Sequence, residues 1–304
     1  MISGVYCASA TPVNADLSPD LGALAAHAKA LIADGCDGIA LLGTTGEANS
    51  FSLTERKTIL EAAATAVGPE RLMPGTGVNA LPETIDLTRH ALSLGVTRVV
   101  MLPPSYYKGV SDEGLFRAYA HVIETLADAR LQVILYHIPQ VSHVPISHDL
   151  IERLVTAFPQ TVVGIKDSAG KIENMTAMID RFPGFSVFAG ADPLLLPLMG
   201  KGGAGCITAT SNLVADSLAT VFRHHADPAR KAEVEAAQAR INAFRDLSNS
   251  YTQIPAIKAM VAFRHGSAVW TRTRPPLVGL APNELTQLKD RLTAIGASVK
   301  DLAA

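Results

Sequence analysis

The chain contains 304 residues, of which 48% are hydrophobic and 18% charged, and its formal net charge is −2. Such a balanced charge offers no strong field for nucleic acid or an anionic membrane, and the apolar content is too high for a disordered chain. Three widely separated cysteines, Cys7, Cys36 and Cys206, predict no disulfide framework. Because neither a signal peptide nor a membrane-spanning run is recognisable, we expect a soluble, cytoplasmic protein.

Short apolar runs recur along the chain and predict buried strands. They are rich in Val, Ile and Leu and are continuous rather than alternating, which is typical of strands covered on both faces. The runs begin at Gly4, Gly38, Leu72, Arg98, Gln132, Thr161, Phe185 and Gly205.

Amphipathic stretches of helical length separate these runs. Ser52 and Glu55 form a capping box at the start of one of them. Three of the stretches end at glycines, Gly35, Gly68 and Gly95, which are typical helix stops. The repeating unit is therefore a strand followed by a helix, about 30 residues long.

The series of similar units predicts a (β/α)8 TIM barrel over residues 1–225. Residues 226–304 contain helical patterns and no strand pattern, so we expect a small C-terminal helical extension packed on the barrel. An open, doubly wound sheet is the alternative fold, but serial repetition of one unit favours closure.

Reactive groups of an α/β barrel lie where its strands end, and Lys166 stands at such a position. It closes the apolar run from Val162 to Ile165. Burial favours the neutral amine of a lysine, and a neutral amine attacks a ketone to form a Schiff base. The alternative is a lysine that extends from the strand end into water.

Two further strand ends provide compatible chemistry. Tyr136 ends the strand before Lys166, and a phenol beside a Schiff-base nitrogen can relay protons to the substrate oxygen. The turn from Gly43 to Gly46 offers backbone N–H groups and the hydroxyls of Thr44 and Thr45, which suit a carboxylate. Alternatively, Tyr136 is a core residue and the threonines only cap the turn.

One glycine-rich segment resembles a cofactor-binding loop. The sequence from Gly200 to Gly205 matches G-x-G-x-x-G, but it follows a helix and precedes a strand, which is the wrong context for a dinucleotide. No histidine pair has the H-E-x-x-H spacing. We therefore expect no metal and no cofactor.

The motifs together resemble those of the dihydrodipicolinate synthase and N-acetylneuraminate lyase superfamily of pyruvate-dependent class I aldolases. The resemblance covers nearly the whole chain. It rests on G-T-T-G-E at Gly43–Glu47, P-P-S-Y-Y at Pro103–Tyr107, Y-H-I-P at Tyr136–Pro139, G-I-K-D at Gly164–Asp167, G-A-D at Gly190–Asp192, and G-G-A-G-C-I-T-A-T from Gly202.

The resemblance implies a role for each matching residue. Lys166 would form the Schiff base, Tyr136 would be the catalytic phenol, and Thr44 would share its proton relay with Tyr107 from a neighbouring subunit. Thr45 and Thr44 would bind the pyruvate carboxylate. Further substrate contacts are expected from Ile207, Gly190 and Asp192. Apart from the resemblance, the positions of His137, Ser142, His143, Ser168 and Thr208 near the rim predict hydrogen bonds to substrate hydroxyls. The resemblance also implies a homotetramer built as a dimer of dimers.

Two positions depart from the family patterns. Dihydrodipicolinate synthases usually carry an arginine where this chain has Val141, and an apolar side chain does not replace a bidentate guanidinium. Sialic acid lyases resemble the chain at Asp192 but commonly carry an acidic residue where Pro193 stands. A smaller hydroxylated 2-oxo acid therefore suits the sequence better than either family substrate.

The resulting hypothesis is a Schiff-base lyase that cleaves or forms a hydroxylated 2-oxo acid derived from pyruvate. Alternatives on the same scaffold are 4-hydroxy-tetrahydrodipicolinate synthase and a 2-keto-3-deoxy sugar acid dehydratase. A metal-dependent aldolase using His137 and His143, and a barrel that only binds a 2-oxo acid, are the alternatives from other classes.

Overall fold

Parallel strands form the centre of the molecule. A computed structural model describes residues 1–302. Seven strands form one sheet in which every pairing is parallel. The strands are β1 (Gly4–Cys7), β2 (Gly38–Ile39), β3 (Arg98–Met101), β4 (Gln132–His137), β5 (Val162–Asp167), β6 (Ser186–Ala189) and β7 (Gly205–Thr208).

The run that begins at Leu72 closes this sheet into a barrel. Leu72 bridges Ile39 of β2, and Gly75 bridges Val100 of β3, both in parallel. The run forms bridges rather than a continuous strand because Pro74 has no N–H to donate to a ladder. Gly75 is required there, since a Cβ would lie 2.2 Å from the carbonyl oxygen of Leu42.

The strand order confirms the expected barrel. The sheet runs β2-β1-β7-β6-β5-β4-β3, so the strands follow one another around the circle in chain order. A doubly wound sheet would instead reverse direction at a switch point.

Helices surround the barrel on its outside and at the carboxyl ends of its strands. They are α1 (Leu21–Ala33), α2 (Leu53–Val67), α3 (Leu81–Ser93), α4 (Asp112–Leu126), α5 (Pro139–Ser142), α6 (His148–Ala157), α7 (Ile172–Arg181), α8 (Leu195–Met199), α9 (Ser211–His224), α10 (Lys231–Asn249), α11 (Gln253–His265) and α12 (Pro282–Ala294). Within residues 1–302, none of them is long and apolar enough to cross a membrane.

The predicted helix boundaries follow their local chemistry. Ser52 and Glu55 cap the start of α2 reciprocally, as the sequence predicts. Gly35, Gly68 and Gly95 follow the ends of α1, α2 and α3 with positive φ angles of 110°, 88° and 84°. Glycine adopts this conformation without a Cβ penalty, which explains why the helices stop there.

From residue 226 to residue 302 the chain forms helices and no strand. Helix α11 packs over the carboxyl ends of β1 and β7, where Ile257 and Val261 join a buried cluster with Ala10 and Ala209. The extension therefore lies against the end of the barrel at which catalytic groups are expected. The division of the chain at residue 226 stays a prediction.

Candidate active site

Lys166 and Tyr136 face each other at the carboxyl end of the barrel. They are register partners on the adjacent strands β5 and β4, so their side chains point to the same side of the sheet. Each residue is only 6% exposed. The Lys166 Nζ lies 4.2 Å from the centre of the Tyr136 ring, within the range of a cation–π interaction.

These two residues line a cavity of about 250 Å³. Thr44 and Ile207 line it as well, so four of the residues singled out in the sequence meet in one place. The remaining lining residues are Ala40, Leu41, Leu42, Gly43, Glu47, Ala48, Asn49, Ser50, Met73, Gly75, Gly77, Val100, Leu102, Ser105, Ile138, Val141, Ser142, Ile254 and Leu277.

The phenol of Tyr136 is prepared for proton transfer. Its oxygen lies 3.4 Å from the Thr44 hydroxyl. Burial alone would raise the pKa of Tyr136, but the Lys166 ammonium and the hydroxyls of Thr44 and Ser168 outweigh burial and lower this pKa below its ordinary value. A phenol with a lowered pKa gives up its proton more readily, as a general base and acid in one reaction must.

The turn after β2 carries Thr44 and contains backbone N–H groups that have no acceptor in the described chain. The N–H groups of Thr44 and Thr45 donate to no other group within residues 1–302. Leu42 and Glu47, on either side of the turn, adopt left-handed conformations with φ angles of 58° and 53°. Backbone strain of this kind at a cavity is typical of a preorganised binding site.

Glu47 anchors this turn to the C-terminal extension. Its carboxylate accepts a hydrogen bond from Lys258 of α11 and another, 3.0 Å long, from the backbone N–H of Arg274. The Arg274 guanidinium in turn donates to the carbonyl oxygens of Leu17 and Ser50. The position of Thr44 therefore depends on contacts with residues more than 200 positions away in the chain.

Several other predicted residues do not line the cavity. Tyr107 is 75% exposed, in the loop after β3, and packs edge-on against Tyr106. Thr45 is half-buried in its turn. Gly190 fits closely over Ser168, because a Cβ at Gly190 would lie 2.0 Å from the Ser168 hydroxyl.

Asp192 and Thr208 are buried away from the cavity. The Asp192 carboxylate is held by the Thr210 hydroxyl and by Arg245, whose guanidinium lies 3.2 Å away. Thr208 follows Ile207 on β7, so the two side chains point to opposite faces of the strand, and Ile207 is the one that lines the cavity. The substrate-binding roles of these residues stay predictions.

His137 does not line the cavity either. His137 is buried, and its Nδ1 accepts a hydrogen bond of 3.1 Å from the backbone N–H of Ile146. Burial lowers the pKa of His137, although the nearby Asp167 carboxylate opposes this effect. Within residues 1–302, no group of three or more His, Cys, Asp or Glu residues is arranged to hold a metal ion.

Some residues at the site were not assigned by the sequence analysis. Ile254 and Leu277 from the extension line the cavity, and Lys258 pairs with Glu47. One indication was present for Lys258, since it is a charged residue inside the apolar stretch from Ile254 to Phe263. Buried lysines are rare unless they are paired.

The fold and the site define a class of protein, an enzyme of the parallel α/β-barrel type with its reactive side chains at the strand ends. The dihydrodipicolinate synthetase family model matches residues 1–295, and the chain belongs to this family. It is a carbon–carbon lyase of the aldolase type.

Similar proteins agree with this assignment. The chain is 36% identical over 289 residues to an uncharacterized DapA-like lyase from Chloroflexus aurantiacus, covering 94% of each chain. It is 32% identical to 4-hydroxy-tetrahydrodipicolinate synthase from Synechocystis sp., covering 95% of this chain and 94% of the other. The crystal structure of YagE from E. coli K12 in complex with pyruvate superposes with a TM-score of 0.90 at 26% identity, covering 98% of this chain and 99% of YagE.

Proposed function

We propose that this protein is a Schiff-base-forming lyase that cleaves or forms a hydroxylated 2-oxo acid derived from pyruvate. One observation carries the proposal: the buried amine of Lys166 lies 4.2 Å from the ring of a buried tyrosine, at the wall of a cavity. The pyruvate bound in YagE, a structural relative, supports the choice of ketone.

The chemistry follows from these two groups. The Lys166 amine attacks the 2-oxo carbon, and the resulting hydroxyl leaves as water with a proton from Tyr136. This step gives an iminium that withdraws electrons and leaves Tyr136 as tyrosinate. Tyr136 accepts the proton of the C4 hydroxyl while the C3–C4 bond breaks, so an aldehyde leaves and an enamine remains. Tyr136 then returns the proton to the enamine carbon, and water hydrolyses the iminium to release pyruvate and the free amine.

The turn after β2 would hold the carboxylate of the substrate. Thr44 and Thr45 offer two backbone N–H groups without partners in the described chain, and oriented N–H groups of this kind attract anions. The Thr44 hydroxyl, 3.4 Å from the Tyr136 oxygen, would pass protons onward. No metal and no cofactor takes part in this scheme.

Tyr107 would reach the site of a neighbouring subunit in a homotetramer. The exposed pair of Tyr106 and Tyr107, with ring centres 5.4 Å apart, is the kind of aromatic surface that subunit interfaces cover. Light scattering would test this expectation, because a monomer would remove Tyr107 from the relay. The balanced charge and unpaired cysteines suit a cytoplasmic location.

The synthase reaction is the second candidate, because a relative with this name covers nearly the whole chain. It joins pyruvate to aspartate semialdehyde. Val141 opposes it, since this apolar side chain at the cavity mouth provides no charge for a second carboxylate. Loss of water from a 2-keto-3-deoxy sugar acid is a further possibility on the same iminium.

Turnover by the purified protein tests the proposal. A 4-hydroxy-2-oxo acid such as 4-hydroxy-2-oxoglutarate should yield pyruvate, and Lys166→Met should abolish the reaction while the fold is retained. Activity that survives Lys166→Met, or that a chelator removes, would refute the Schiff-base mechanism and favour metal-dependent chemistry.

A further inference from the structure

Part of the cavity lining is apolar, although the same lining includes the exposed polar residues Thr44 and Asn49. Five apolar side chains come from the ends of β3 and β4, from α5 and from the C-terminal extension. They are Leu102, Ile138, Val141, Ile254 and Leu277. Val141 is 56% exposed, which places it at the entrance, and Ile254 and Leu277 are half-buried.

Several polar side chains in the lining are already engaged by the protein. The Ser142 hydroxyl lies 3.1 Å from each of the carbonyl oxygens of Ile138 and Val144, and these two acceptors share its one proton. Glu47 is paired with Lys258. The Asn49 amide oxygen accepts a hydrogen bond from Arg56. A hydroxyl-rich substrate tail would therefore find few free partners in this lining to replace its water.

Within residues 1–302, the lining itself provides no further charge for a second acidic group. Among the lining residues within the described chain, Lys166 is the only lysine or arginine, and the iminium uses its amine. Outside the lining, the Lys108 ammonium donates to the carbonyl oxygens of the lining residues Ser105 and Ser142. Two of its three donors therefore have partners, and the loop that carries it is exposed.

We propose that the aldehyde partner at this site has an apolar side chain, aromatic or branched aliphatic, rather than a carboxylate or a polyhydroxylated chain. This inference rests on the Schiff-base function proposed above. In the synthetic direction the enamine carbon of pyruvate bonds to the aldehyde carbon, and the aldehyde oxygen takes a proton from Tyr136. Water then hydrolyses the iminium, which restores the Lys166 amine and releases a 4-hydroxy-2-oxo acid with an apolar end.

The size of the cavity agrees with a compact partner. Its volume of about 250 Å³ is slightly below the range of roughly 300–1,000 Å³ that is usual for ligand sites. Pyruvate together with a single ring or a short branched chain suits such a space better than a long sugar acid.

A panel of aldehydes tests the proposal on the purified, full-length enzyme with pyruvate. The kcat/KM for benzaldehyde and isobutyraldehyde should exceed that for glyceraldehyde and aspartate semialdehyde by about tenfold or more. A preference for either polar aldehyde, or no reaction with any apolar one, would overturn the proposal. Borohydride trapping of pyruvate alone separates the two claims: an adduct with the wrong aldehyde preference overturns only this inference, and no adduct overturns the proposed function.

A pair of arginine substitutions sharpens the test. Val141→Arg adds a cation at the mouth, so it should lower kcat/KM for benzaldehyde and raise it for aspartate semialdehyde. Val278→Arg is the matched control, because Val278 is a 79% exposed valine outside the lining, and it should leave the ratio unchanged. Equal ratios in Val141→Arg and the parent enzyme would show that Val141 does not border the aldehyde, contrary to the proposal.

Discussion

Lys258 of α11 and Glu47 of the turn after β2 form an ion pair 2.5 Å long in which both side chains are fully buried. Burial lowers the pKa of Lys258, and the Glu47 carboxylate only partly opposes this effect. The pair joins the C-terminal extension to the turn that carries Thr44. The extension therefore helps to support the turn at the candidate active site.

Removal of one member of this pair should destabilise the fold. Lys258→Met leaves the Glu47 carboxylate buried without its cation, and we expect a loss of about 3–5 kcal/mol in the free energy of unfolding. Urea denaturation measures this loss. The control is Lys57→Met, because the half-exposed pair of Lys57 and Asp86 should contribute at most about 1 kcal/mol. Equal losses of unfolding free energy in the two variants would show that the buried pair of Lys258 and Glu47 stabilises the fold no more than an exposed pair does.

The phenol of Tyr136 should matter for turnover and not for imine formation. Tyr136→Phe removes the proton carrier, so kcat should fall by about a hundredfold to ten-thousandfold while pyruvate still forms an adduct with Lys166. The matched control is Tyr119→Phe, because the Tyr119 hydroxyl is buried against the carbonyl oxygen of Met101, outside the cavity. Full activity in Tyr136→Phe would exclude the phenol from the mechanism.

The charge of Lys166 should hold down the pKa of Tyr136. Without the ammonium, burial prevails and raises this pKa, so tyrosinate should appear at higher pH in Lys166→Met than in the parent protein. Tyrosinate absorbance, taken as the difference from the corresponding Tyr136→Phe proteins, isolates this single titration. The exposed Lys171 provides the control Lys171→Met, which should not move it. An unchanged or lower pKa in Lys166→Met would show that the two groups are not coupled.

His27 should make the fold sensitive to acid. It is buried between Asn212 and His265, and burial lowers its pKa to about 3. Above about pH 6.5 neither folded nor unfolded His27 binds a proton, so the fold keeps its full stability. As the pH falls below that value, His27 binds a proton in the unfolded chain but not in the folded protein. The free energy of unfolding therefore decreases by up to about 1.4 kcal/mol per pH unit.

Substitution of His27 tests the direction of this pH dependence. His27→Gln removes the titrating ring, so the decrease in the urea-derived free energy of unfolding between about pH 6.5 and 5 should be shallower than in the parent. An identical slope would mean that His27 is protonated in the folded state, contrary to its burial.

Local patterns in the sequence were enough for the architecture. Seven of the eight apolar runs form strands, and the run at Leu72 bridges its two neighbours, as a barrel requires. Lys166, Tyr136 and Ile207 meet because parallel strands bring their carboxyl ends together and residues two apart share a face.

Contacts between side chains far apart in the sequence could not be predicted from local patterns. Arg245, 53 positions after Asp192, holds its carboxylate in the structure, and no local spacing in the sequence predicts this contact. Glu47 and Lys258 are 211 positions apart, and no local spacing connects them. Thr208 differs from Ile207 by one strand position, and this step is enough to turn a side chain away from the cavity.

The covalent step is tested most directly by borohydride reduction in the presence of pyruvate, followed by peptide mass spectrometry. The account predicts a stable three-carbon addition on the peptide that contains Lys166, and none in Lys166→Met. An unmodified protein, or an adduct on a different lysine, would contradict it.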